Sequence, residues 1–124
     1  MARFRCLVVE DSPTLRQLIV FALKRLPELE VVEASDGADA LKKLPGARTD
    51  LVLTGTNMPV MDGLRLLGLM KGNTLYRDIP VVLITAGDAA EEREQGMALG
   101  ARASIAKPIR AGGLLEVVRE ILGL

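Results

Sequence analysis

The chain has no histidine and no tryptophan, and its 124 residues include a single cysteine. Without an imidazole there is no histidine base to activate a serine, cysteine or threonine, and no imidazole ligand for a metal. One cysteine allows neither a disulfide framework nor a Cys/His zinc site. Cys6 lies in the apolar run Cys6-Leu7-Val8-Val9, which reads as core rather than as a nucleophile's setting. Charge of one sign is also lacking: sixteen Lys and Arg balance sixteen Asp and Glu, so no global field draws the chain to nucleic acid or to an anionic membrane. No apolar run reaches the length of a membrane span, Met1 to Arg5 lacks the apolar core of a secretion signal, and the expected location is cytoplasmic. Neither GxxxxGK[ST] nor GxGxxG occurs, which argues against a nucleotide. No enzyme activity is expected.

What is present is a regular alternation of strand and helix patterns. Leu7 to Val9 reads as a buried strand, followed by Ser12-Pro13, a helix cap with proline at the first helical position. Leu15, Leu18, Ile19, Ala22 and Leu26 form one apolar helix face ended by Pro27. Further strands are expected at 31–34, 51–54, 81–84 and 103–106. Helices are expected at 38–44, at 64–70 with Leu64, Leu67 and Leu69 for packing, at 89–99, and around Leu114, Leu115, Val118, Ile121 and Leu122. Five strand-helix pairs with short loops predict an α/β fold in one domain, residues 1–124. Parallel neighbours need crossovers, and right-handed crossovers give a doubly wound three-layer sandwich.

In such a sheet the carboxyl ends of the strands form the working edge. Glu10 and Asp11 follow the first strand, Gly55 to Met58 the third, Thr85 the fourth and Lys107-Pro108 the fifth. Two adjacent carboxylates suit a hard cation such as Mg²⁺, or else form a solvated loop that helps cap a helix. Lys107 either neutralises that pair or a bound phosphoryl group, or is a plain surface lysine. Both alternatives stay open on spacing alone.

The segments LVVEDS at 7–12, LTGTNMPVMDG at 53–63, VVLITA at 81–86 and AKP at 106–108 resemble the receiver domain of two-component response regulators, in the single-domain chemotaxis type or as the first part of a longer regulator. The resemblance implies a (βα)₅, flavodoxin-like fold and a switch driven by aspartyl phosphorylation. It further implies Mg²⁺ held by Glu10, Asp11 and the backbone carbonyl of Asn57, a phosphoryl group followed by Thr85 and paired with Lys107, and a cis peptide bond at Lys107-Pro108. Two departures stand out. Gly55 occupies the acceptor position, and Ser104 occupies the switch position where the family commonly has Tyr or Phe.

A glycine has no carboxylate to attack phosphorus. The loss of one negative charge should weaken Mg²⁺ binding, since a contact pair near a protein surface is worth on the order of 4 kcal/mol before desolvation. It should also free Lys107 to pair directly with an acidic neighbour. Thr54 and Thr56 flank the gap with no evident general base, and Asp62 is seven residues downstream. The expected function is a phosphorylation-independent interaction module, with no required cofactor. Its protein partner, or a second copy, would use the fourth helix, fifth strand and fifth helix, where Val117 either widens the apolar arc or belongs to core packing. The competing expectation is an ordinary phosphoryl-accepting regulator, through a surrogate residue or with Gly55 replacing a natural aspartate. A small-molecule binder using the vacated pocket is a third.

Overall fold

Each apolar run of the sequence becomes a strand, and each helical stripe becomes the inward face of a helix. A computed structural model describes residues 2–124. The elements in chain order are β1 (Phe4–Val9), α1 (Pro13–Leu23), β2 (Leu29–Ala34), α2 (Gly37–Lys43), β3 (Leu51–Gly55), α3 (Gly63–Lys71), β4 (Val81–Thr85), α4 (Ala90–Ala98), β5 (Ala103–Ala106) and α5 (Ala111–Leu122). A single 3₁₀ turn, Leu44–Gly46, follows α2.

The five strands form one parallel sheet in the order β2-β1-β3-β4-β5. Alternation along the strands sends Cys6, Val8, Leu51, Leu53, Val82 and Ile84 to one face, where α1 and α5 cover them. The other face, Leu7, Val9, Val52, Val81 and Leu83, is covered by α2 and α3. Strands buried on both sides read as continuous apolar runs, as the three central ones do here. Each fully buried leucine contributes about 1.5–3 kcal/mol, and Leu7, Leu23, Leu51, Leu53, Leu66, Leu67, Leu83 and Leu114 are all at 2% exposure or less. The Cys6 thiol lies wholly inside the first layer, and burial pushes its pKa up to about 12, so it is inert as a nucleophile.

Several expectations are corrected in detail. α3 buries Gly63, Leu66, Leu67 and Met70, an i, i+3, i+4, i+7 stripe, while Leu69 lies to one side of it at 41% exposure. On α1, Leu18 is 48% exposed and Leu23 takes its place inside. Val117 packs against the core beneath α5, so it does not widen an outer apolar arc. β1 and β2 also begin earlier than the apolar runs, because Phe4 and Arg5 pair with Leu29 and Glu30.

Candidate functional site

The site is built where β1, β3, β4 and β5 end. α1 begins immediately after the β1 turn: Ser12 caps it by accepting from the Leu15 N–H at 3.3 Å, and Pro13 sits in its first turn. Arg16, one turn on, donates Nη1 to the Glu10 carbonyl at 2.7 Å and pairs through Nε with Glu33 at 3.0 Å. The end of β1 is thereby fixed, and Glu10 with it. The Glu10 N–H also donates to the Ala34 carbonyl at 3.0 Å.

Glu10 is 2% exposed, whereas Asp11 is exposed. Glu10 Oε2 accepts from the Ser12 N–H at 2.9 Å. Its Oε1 lies 2.6 Å from where a β-carbon on Gly55 would stand. The Glu10 carboxylate therefore occupies the space that a side chain at position 55 would enter. Burial raises its pKa above the usual 4.5; the Ser12 N–H works against the shift, Asp11 adds to it, and the positive charge of Lys107 opposes it.

β3 ends on Gly55, and the loop 56–62 folds back onto that end. The Gly63 N–H donates to the Thr56 carbonyl at 3.1 Å, and Met61 O accepts from the Gly37 N–H at 3.0 Å. A β-carbon on Gly63 would run into the Gly55 carbonyl oxygen, so position 63 has to be glycine for the loop to close. Asn57 is exposed on this loop. Asp62 caps α3 by accepting from the Arg65 N–H at 2.8 Å, which commits its carboxylate to the helix.

Sequence reading missed one contact entirely. Thr56 Oγ1 donates to Glu92 Oε2 on α4 at 2.7 Å, so Thr56 does have a carboxylate base beside it. The two residues are 36 positions apart, and no local pattern links them. Thr54, fully buried, donates instead to the Gly55 carbonyl at 2.9 Å. Arg16 was missed for a similar reason: its role comes from reaching across to β1 and β2.

Thr85 ends β4 at 3% exposure, and its carbonyl accepts from the Lys107 N–H at 2.8 Å. Lys107-Pro108 is cis. The expected direct pairing of Lys107 does not form, since none of the three ion pairs among the described residues includes it. Ser104, half-buried, sits opposite Leu83 in the sheet register, with Thr85 opposite Ala106. Strand alternation places Thr85 and Ser104 on the α4 side. There they line a cleft of about 240 Å³ closed by Ala86, Asp88, Ala90 and Arg93. A larger depression of about 310 Å³ lies at the opposite sheet edge, among Thr49, Asp50, Tyr76 and Pro80, and takes in none of the site residues.

The oxygen donors at the site suit Mg²⁺ in kind: two carboxylates and a backbone carbonyl. They are few in number, and among the described residues no three acidic, His or Cys side chains gather into a metal-holding group.

Comparison with known proteins agrees with this architecture. A family model described as the response regulator receiver domain matches residues 6–119. Chemotaxis protein CheY1 of Helicobacter pylori is 34% identical over 120 residues, covering 96% of this chain and 97% of that protein. The phosphate regulon transcriptional regulatory protein PhoB of Klebsiella pneumoniae is 35% identical over 122 residues, covering 98% of this chain and 52% of that longer protein. Chemotaxis response regulator CheY4 of Vibrio cholerae superposes with a TM-score of 0.87 at 30% identity, over 97% of this chain and 99% of that one. The receiver domain of a sensor histidine kinase from Pseudomonas aeruginosa, solved with a magnesium ion coordinated in its active site cleft, superposes at 0.88 with 26% identity over 99% of this chain and 100% of that one. With a five-stranded parallel sheet in the order 2-1-3-4-5 and its strand ends arranged as described, the chain belongs to the response regulator receiver domain family.

Proposed function

We propose that this receiver domain acts in two-component signalling as a protein interaction module whose output does not depend on aspartyl phosphorylation. The observation that carries the reading is at the end of β3. Gly55 offers no carboxylate there, and the Glu10 carboxylate lies in the space an acceptor side chain would need. Aspartyl phosphate cannot form on a residue without a side chain.

The remaining site residues keep supporting roles in this reading. Glu10, Asp11 and the Asn57 carbonyl would hold Mg²⁺, weakly for want of a third carboxylate, and bound there it would offset their negative charge. Lys107 balances the buried Glu10 from across the site, as its opposing effect on the Glu10 carboxyl indicates. Ser104 brings no ring to the cleft beside Thr85, so no aromatic switch operates there. The partner-facing surface is α4, β5 and α5, open to a protein partner or to a second copy. No helix among the described residues is long and apolar enough to cross a membrane.

A second reading rests on the Thr56–Glu92 contact. A hydroxyl 2.7 Å from a carboxylate is a nucleophile with its base in place. Attack by Oγ1 on the phosphorus of an acyl phosphate would release the donor's carboxylate, pass the hydroxyl proton to Glu92 and leave an acid-stable phosphothreonine.

Incubation with acetyl phosphate and Mg²⁺ followed by intact-mass measurement separates the two. The module reading expects no phosphoryl adduct. An acid-stable adduct mapped to Thr56 supports the second reading, and an acid-labile adduct anywhere overturns both.

A further inference from the structure

α4 is the least anchored helix of the fold. Its one buried residue is Gly96, whereas α1 and α3 bury four residues each and α5 three. Its N-cap, Ala89, has no side-chain oxygen for the free N–H groups of the first turn. Near its end, Met97 and Leu99 are 46% and 43% exposed. Beneath the first turn lies the cleft floored by Thr85 and Ser104, so nothing from β5 rises to support it.

The Thr56–Glu92 hydrogen bond is set against this background. Thr56 is the residue directly after Gly55. It is 5% exposed, and its N–H donates to the Ile84 carbonyl at 3.3 Å, so its hydroxyl is carried by the rigid edge of the sheet. Glu92 lies in the first turn of α4, where a negative charge also suits the helix N-terminus. A 2.7 Å bond from a hydroxyl to an ionised carboxylate is of the stronger, charge-assisted kind. It joins the end of β3 to the helix with the least packing of its own.

We propose that Thr56 and Glu92 are positioning residues that tether α4 to the end of β3 and so preset the α4–β5–α5 face without a phosphoryl group. The inference deepens the module reading and rests on it. The tether supplies a fixed link between the vacated acceptor position and the partner-facing surface, built from two side chains to which the module reading gives no part in metal or phosphoryl binding.

Amide hydrogen exchange on the full chain tests it. In Thr56→Val, which keeps the shape and loses the hydroxyl, amides of Arg93 to Met97 should exchange roughly tenfold faster or more, while those of α1 and α5 stay unchanged. Glu92→Ala should behave in the same way. Thr56→Ser, which restores the hydroxyl, should return α4 to wild-type protection. Unchanged α4 exchange in Thr56→Val and Glu92→Ala overturns the tether, as does an equal acceleration in all helices or failure of the serine variant to rescue. Failure of the module reading is seen separately: acetyl phosphate with Mg²⁺ would then alter α4 exchange in the wild-type chain.

Discussion

Glu10 is an almost fully buried carboxylate whose pKa is raised chiefly by burial, and this gives stability a defined pH dependence. Below the usual 4.5, folded and unfolded chains are both protonated at this residue and its favourable contribution is complete. As pH rises from there through the folded value, the unfolded chain releases its proton first and stability falls. Glu10→Gln cannot ionise, yet it keeps an oxygen to accept from the Ser12 N–H. In metal-free buffer it should unfold at a higher temperature than wild type at pH 7, with the difference vanishing below pH 4.5. Asp39 titrates in the opposite sense, since the Ser35 N–H and then Lys43 hold its carboxyl below the usual range. Its contribution is lost only as pH falls through the folded value, outside the Glu10 window. Val60 is a second residue-scale test. It is β-branched, 84% exposed and held at φ 67°, a left-handed conformation that costs such a residue about 1–2 kcal/mol. Val60→Asn should therefore raise stability by about 1 kcal/mol in urea unfolding.

α5 shows how much of an element its sequence discloses. Leu114, Leu115 and Val118 are buried as their spacing predicts, because an amphipathic stripe on a covering helix has one face to pack. Gly112 and Gly113 sit inside the helix, and nothing lies within 4 Å of a β-carbon added at either. Each Gly→Ala change there should stabilise by about 0.5–1 kcal/mol, measured as an increase in the urea midpoint. On α3 the expected Leu67 is buried and Leu64 packs against the core, whereas Leu69 is exposed and the stripe is completed by Gly63, Leu66 and Met70, which carry the helical spacing. α4 shows the least, since a helix with one buried glycine has little apolar pattern to display, and its hydrogen bond to Thr56 comes from another element. The strand ends were the most legible part of the site, because in a parallel sheet the residue after each strand is placed by topology alone. Rotamer-level facts, such as Glu10 turning toward Gly55 and Lys107 standing unpaired, come from three-dimensional packing and leave no trace in spacing.

At the scale of the molecule, two faces of one sheet are filled by separate apolar layers, and at the strand ends between them β3 closes on Gly55, with the Glu10 carboxylate in the space a side chain there would enter. The Thr56–Glu92 hydrogen bond runs from the end of β3 to α4, and on the proposed reading it holds the α4–β5–α5 face in place for a partner. On the proposed reading the α4–β5–α5 face needs no phosphoryl signal. Backbone amide spectra of the wild-type chain and of Gly55→Asp, each recorded with Mg²⁺ before and after acetyl phosphate, test it most directly. In Gly55→Asp the new side chain must displace the Glu10 carboxylate, and with an acceptor present the amides of α4, β5 and α5 should shift. In the wild-type chain those amides should stay where they are, whereas shifts across that face on adding acetyl phosphate would show that it answers to a phosphoryl signal.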